Sequence, residues 1–153
     1  MDNNWLDLLQ NKNQLSKVIE TNQFTERFGL TLSQQDAQLI LESRKTALRE
    51  QRRVEFGEGI VTKIIYEFCD SDFIDRSNYV DTIIRLQEIF YLFKNEMNDE
   101  ITDDELIQLM KEQYENRCFG DLDYLEGTCL SDFAQAFRAG RADYNKTEGY
   151  GKY

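Results

Sequence analysis

The chain has 153 residues, with 41% hydrophobic, 12% aromatic and 31% charged residues, and a net charge of -11. A chain of that length can bury a core of its own without disulfides or metals. The charge opposes binding to phosphate backbones, and no apolar run reaches the roughly 18 residues of a membrane span, so neither nucleic acid nor membrane is expected as a partner.

Histidine is absent. The commonest general base and metal ligand is therefore missing, together with every Ser-His or Cys-His catalytic pair. Cys69, Cys118 and Cys129 are odd in number and show no C-x-x-C spacing, so they read as reduced core thiols rather than a disulfide framework or a zinc cluster. The amino terminus lacks the basic and long apolar segments of a secretory signal, and the expected setting is the cytoplasm. Acidity is uneven: residues 1–53 carry 8 Lys/Arg and 7 Asp/Glu, whereas residues 54–153 carry 10 and 22.

Short apolar clusters at Trp5–Leu9 and Leu15–Ile19 predict one or two helices within residues 1–29, closed after Phe24 and Phe28 by Gly29. Ser33, with Asp36 three residues on, predicts a capped helix running to about Arg53. Its apolar stripe is Ala37, Ile40, Leu41, Ala47 and Leu48, and another face carries Lys45, Arg49, Arg52 and, nearby, Arg53.

The stretch Gly57-Glu-Gly59 precedes an apolar helical run and raises the question of a phosphate cradle. A P-loop requires G-x-x-x-x-G-K-[ST] after a strand, and here a basic helix precedes while Glu55 and Glu58 crowd the turn. Its reading is a corner between helices, the next running from about Glu58 to Cys69 with Ile60, Ile64, Ile65 and Phe68 inward.

Asp75 or Ser77 is placed to cap the helix over residues 78–97. There Tyr79, Ile83, Leu86, Phe90, Phe93 and Met97 alternate spacings of four and three, while Val80, Ile84, Ile89, Tyr91 and Leu92 widen the apolar face. This helix is expected at the centre, buried on several sides. Thr102-Asp-Asp-Glu105 is a capping box opening a helix to about Arg117, with Leu106, Leu109, Met110 and Tyr114 inward. Asp121 then caps a short turn over Leu122–Leu125 that halts at Gly127. A last helix spans about Cys129 to Ala139, with Leu130, Phe133, Ala134 and Phe137 on its apolar side. The fold class is all-α: a single-domain bundle of five to seven helices over residues 1–139. Residues 140–153, polar and glycine-bearing, are expected to be a disordered tail.

Helix, acidic loop and helix also invite an EF-hand reading. In that register Lys94 takes the first ligand position and Asp99 the sixth, where calcium requires Asp and Gly; the loop starting at Asp70 puts Ile74 fifth and Asp75 sixth. No metal or other cofactor is expected. Carboxylate pairs such as Asp103 and Asp104 suit helix starts, where the dipole favours them.

Two kinds of contact element remain. The basic residues Lys45, Arg49, Arg52 and Arg53 could dock an acidic partner or a second copy of the chain. Tyr144, Tyr150 and Tyr153 could anchor the tail on a partner. A non-catalytic interaction or adaptor protein is the preferred reading. The alternative is a histidine-independent enzyme or small-ligand binder gathering Glu58, Asp123, Tyr124 and Glu126 beside the glycines.

Three blocks, Arg53-Val-Glu-Phe-Gly-Glu-Gly-Ile60, Leu86-Gln-Glu-Ile-Phe-Tyr91 with Thr102-Asp-Asp-Glu-Leu106, and Asp123-Tyr-Leu-Glu-Gly-Thr128, resemble a family of small acidic all-helical proteins. It is a domain of unknown function from Gram-positive bacteria, and the resemblance covers roughly residues 30–140. It implies a bacterial cytoplasmic protein and carries over no catalytic residue.

Overall fold

The structure, a computed structural model, describes residues 3–144, and every regular element among them is helical. The chain divides into two compact units between Tyr91 and Leu92. The division falls within α5 (Tyr79–Glu96), the helix marked by its wide apolar face. From Tyr79 to Met97 only Asp81, Glu88 and Glu96 are exposed, so α5 is buried on several sides as its periodicity requires.

In the first unit, α1 (Asn3–Glu20) is one continuous helix rather than two short ones. A one-turn helix α2 (Asn22–Thr25) and a 3-10 turn (Glu26–Phe28) follow, ended by Gly29 at φ 78°. The Asn22 side chain grips the next segment twice, accepting from the Leu32 N–H at 2.8 Å and donating to the Leu32 carbonyl at 2.9 Å. Leu30 and Leu32 are thereby held in the core.

Helix α3 (Gln34–Glu50) opens on the expected box, with the Asp36 N–H donating to Ser33 Oγ and the Ser33 N–H to Asp36 Oδ2, each at 3.0 Å. It packs against α1. It also stops before Arg53. Arg52 adopts a left-handed φ of 57°, the Arg53 N–H donates to the Leu48 carbonyl at 2.8 Å, and the Arg52 N–H donates to that of Arg49 at 3.1 Å. These are the paired bonds of a Schellman ending, with arginine at the position glycine usually fills.

Helix α4 (Val61–Phe68) starts three residues later than Glu58, because Gly57 and Gly59 both take positive φ. Val61, Ile64, Ile65 and Phe68 are buried. Asp75, not Ser77, organises the entry to α5: its Oδ1 accepts from the N–H groups of Ser77 and Asn78 and from the Ser77 hydroxyl. The Ser77 bonds hold its carboxyl below the usual range.

In the second unit, Lys94 projects from the last turn of α5 and is 94% buried. Its ammonium donates to the Ile101 carbonyl at 2.8 Å and meets Asp103 Oδ1 at 2.8 Å, with Asp99 Oδ1 at 3.9 Å. The residue that occupies the first ligand position in the EF-hand register thus places its own cation among the oxygens of that loop. Asn98 and Asp99 turn the chain with positive φ, and the Thr102–Glu105 capping box starts α6 (Asp103–Asn116). Leu106, Ile107, Met110 and Tyr114 are buried, so Ile107 takes the place expected for Leu109, which is half-buried.

After α6, Asp121 caps the short α7 (Leu122–Tyr124). The chain does not halt at Gly127. A π-helical turn (Leu125–Cys129) carries it through that glycine into α8 (Leu130–Tyr144), which ends five residues beyond the expected Ala139. A Cβ at Gly127 would meet nothing within 4 Å, and its φ is not left-handed, so this glycine is a helical residue and not a corner. Residues 145–153 of the expected tail lie outside the described residues.

Burial raises the phenols of Tyr79 and Tyr114 to about 12, and that of Tyr91 further. In the unfolded chain each ionises near 10. The folded state then binds more protons than the unfolded one above about pH 10, so stability falls as pH rises. The melting temperature should hold up to about pH 10 and drop steeply towards pH 12, with phenolate absorbance of these side chains appearing only on unfolding. Tyrosines titrating as a single population near pH 10, with no loss of melting temperature, would contradict this arrangement. Replacing Lys94 by methionine keeps the stem and removes the charge; because Asp99 and Asp103 are half solvated, the expected loss is about 1–3 kcal/mol in urea titration. An unchanged midpoint would show that the ammonium contributes nothing.

Candidate functional site

On α3, the buried stripe Ala37, Ile40, Leu41, Ala47 and Leu48 contains a sixth member, Arg44, which is 97% buried. Arg44 lies four residues after Ile40 and three before Ala47, so helical spacing alone puts it inward. An arginine carried into the core requires a partner. That partner is Glu55.

Arg44 Nε donates to Glu55 Oε1 at 3.0 Å, and the same oxygen accepts the Tyr91 hydroxyl from α5. Burial, and then the hydrogen bond to Glu55, push the Tyr91 phenol well above its usual range, so it remains the proton donor. One turn earlier on α3, the Ile40 carbonyl accepts from Gln87 Nε2 of α5 at 3.2 Å. Arg44 Nη2 and Gln87 Oε1 are buried without a hydrogen-bond partner.

The glycine pair acquires its reason here. Gly57 and Gly59 have φ of 63° and 59°. A Cβ on Gly57 would meet nothing within 4 Å, whereas one on Gly59 would overlap the Glu55 carboxylate and lie 2.9 Å from Arg44 Nη2. The hollow that a glycine turn offers to a phosphate is filled by the chain's own carboxylate.

Drawing Glu55 inward has a consequence for its neighbours. Val54 and Phe56 stand 80% and 88% exposed, an inversion of the usual apolar-in, charged-out order. Leaving each outside forgoes about 1.5–3 kcal/mol of burial. Arg49 and Arg52, both exposed, lead into this segment along the end of α3.

Of the contact residues expected from sequence, Lys45 is exposed and donates to Asn11 on α1 at 3.3 Å, and Arg49 donates to Thr46 at 3.4 Å. Arg52 and Arg53 lie beyond the helix in its Schellman ending, so the four cations do not form one helical stripe. Tyr144 is the last residue of α8, and Tyr150 lies outside the described residues. The residues of the alternative ligand set belong to different units. Glu58 sits half-buried before α4 in the first unit; Asp123 and Tyr124 are exposed on α7 in the second. Glu126, also in the second, joins Leu92, Glu96, Ser131 and Arg138 around a cleft of about 270 Å³. No group of three or more Cys, Asp or Glu placed to hold a metal occurs among the described residues. Sequence reading missed Arg44 and Glu55 as a pair; the position of Arg44 on the apolar stripe was the available signal.

The two glycines separate a backbone effect from a contact effect. Gly57→Ala should cost about 1–2 kcal/mol, the penalty of a left-handed alanine. Gly59→Ala should cost that and the displacement of Glu55 from a buried arginine, about 3–5 kcal/mol in all. Equal losses in urea titration would disprove the packing of Glu55 on Gly59.

A model described as a family of unknown function, DUF6323, matches residues 17–143. No curated protein matches the chain, and no solved structure does. The match runs from within α1 almost to the end of α8 and takes in the Arg44–Glu55–Tyr91 cluster and the Val54–Phe56 segment. The chain belongs to the DUF6323 family of unknown function.

Proposed function

We propose that this chain is a non-catalytic interaction protein that binds an acidic protein partner through the segment between α3 and α4. The observation that carries this reading is the inverted burial of Val54-Glu55-Phe56: a carboxylate is anchored inside while two large apolar side chains are held in water. A fold under no other demand would bury the valine and phenylalanine and expose the glutamate. An aromatic anchor beside arginines is the composition of interface hot spots, and Arg49 and Arg52 supply charge that favours an acidic surface. The bacterial cytoplasm is the setting the sequence resemblance implies. Among the described residues no helix is long and apolar enough to cross a membrane.

The test pairs a Val54→Ser/Phe56→Ser variant with an Arg49→Glu/Arg52→Glu variant. Because all four side chains are exposed, each variant should melt within a few degrees of the parent. Crosslinking capture from the source cells should enrich one protein with the parent chain and lose it, by at least about tenfold, with either variant. Capture profiles that match the parent's would overturn the proposal. A concentration-dependent dimer abolished by the same variants would identify the partner as a second copy.

A further inference from the structure

In the second unit, Cys118 follows the end of α6 and Cys129 closes the π-helical turn before α8. Both are buried, at 5% and 1% exposure, and both are thiols. Their sulfurs lie 3.0 Å apart. A disulfide has sulfurs about 2.05 Å apart, so the two need to approach by only about 1 Å to bond.

The backbone on both sides is irregular where it places these thiols. The Cys118 N–H donates to the Gln113 carbonyl at 2.9 Å and the Gly120 N–H to that of Tyr114 at 3.0 Å, and between them Phe119 takes a left-handed φ of 49°. On the other side, the Leu130 N–H bonds the Leu125 carbonyl, five residues back. The extra residue in that turn changes the direction in which Cys129 projects, and π-helical turns of this kind gather at functional sites. Arg117, beside Cys118, ion-pairs with Asp132 at 3.2 Å. Cys69 provides a contrast within the same chain: buried in the first unit, its thiol faces the Tyr66 carbonyl at 3.4 Å.

We infer that Cys118 and Cys129 form a reversible oxidation site, at which hydrogen peroxide converts the two thiols into a disulfide. Burial, and then the hydrogen bond to Cys129, push the Cys118 thiol up to about 12, so the pairing rests on the close approach of the two sulfurs. One of the two sulfurs attacks the peroxide: an S–O bond forms, the O–O bond breaks, and the departing hydroxide takes up that thiol's proton as water. The other sulfur then displaces the hydroxyl of the resulting sulfenic acid. The S–S bond forms as the S–O bond breaks, and a second water leaves with the second thiol's proton. Two electrons pass from the sulfurs to the peroxide, and a dithiol reductant reverses the change. The product closes the segment that joins α6 to α8 and carries the exposed Phe119.

The experiment treats the reduced full chain with stoichiometric hydrogen peroxide, quenches it with an alkylating agent, and maps the peptides by mass spectrometry. The expected product lacks two hydrogens, links Cys118 to Cys129, leaves Cys69 alkylated, reverts with dithiothreitol and melts several degrees higher, as a new cross-link predicts. Cys118→Ala and Cys129→Ala should each abolish the linked peptide. The same treatment in urea controls for chance pairing: the unfolded chain should yield all three pairings, so a single pairing under native conditions reports the folded geometry. Oxidation of Cys69 first, progression to sulfinic acid without a linked peptide, or unreacted thiols would each overturn the inference and leave two packed core thiols.

Discussion

The first unit is organised around one carboxylate oxygen. Glu55 Oε1 accepts from Arg44 on α3 and Tyr91 on α5, so the segment after α3 is tied to both helices at a single point. Charge-assisted bonds in a buried setting are strong and geometrically demanding, and the chain around them has adapted. The end of α3 turns through a left-handed arginine, and the next turn needs glycine at residue 59 because the carboxylate occupies the space of a side chain. The exposure of Val54 and Phe56 follows from the same anchor. Structure and proposed function thus share one cause: the interaction that fixes the segment also displays its apolar side chains.

The second unit uses the opposite sign. Lys94 carries a buried cation into the turn between α5 and α6, and carboxylate and carbonyl oxygens gather on it. Without that cation, Asp99 and Asp103 would repel each other in a turn already bent by two left-handed residues. In both units a buried long-chain cation satisfies backbone or carboxylate groups from a neighbouring turn. Pairs of this kind contribute less to net stability than to fixing one geometry, because desolvation offsets much of their attraction.

Much of the fold was legible in the sequence, for local reasons. The two capping boxes, at Ser33–Asp36 and Thr102–Glu105, depend only on residues three apart, and the wide apolar face of α5 follows from helical period. Helix ends were less legible. The α3 ending hides a left-handed position under an arginine, and Gly127 reads as a stop although a π-helical turn passes through it. The site was legible only in halves. Arg44 could be placed inward by its spacing, but Glu55 belongs to an irregular segment for which no periodicity tells inside from outside.

By itself, then, the sequence determined the helical class, the helix starts and the buried faces, since these follow from side-chain chemistry within one or two turns. Only the tertiary structure decided which charges go inside, that Glu55 rather than Val54 or Phe56 faces the core, and that Cys118 and Cys129 meet. Those outcomes depend on groups distant along the chain: Tyr91 reaches Glu55 across 36 residues and Cys129 reaches Cys118 across 11. The free energy of a buried charge or thiol is set by the atoms that surround it, and neighbours in sequence do not reveal them.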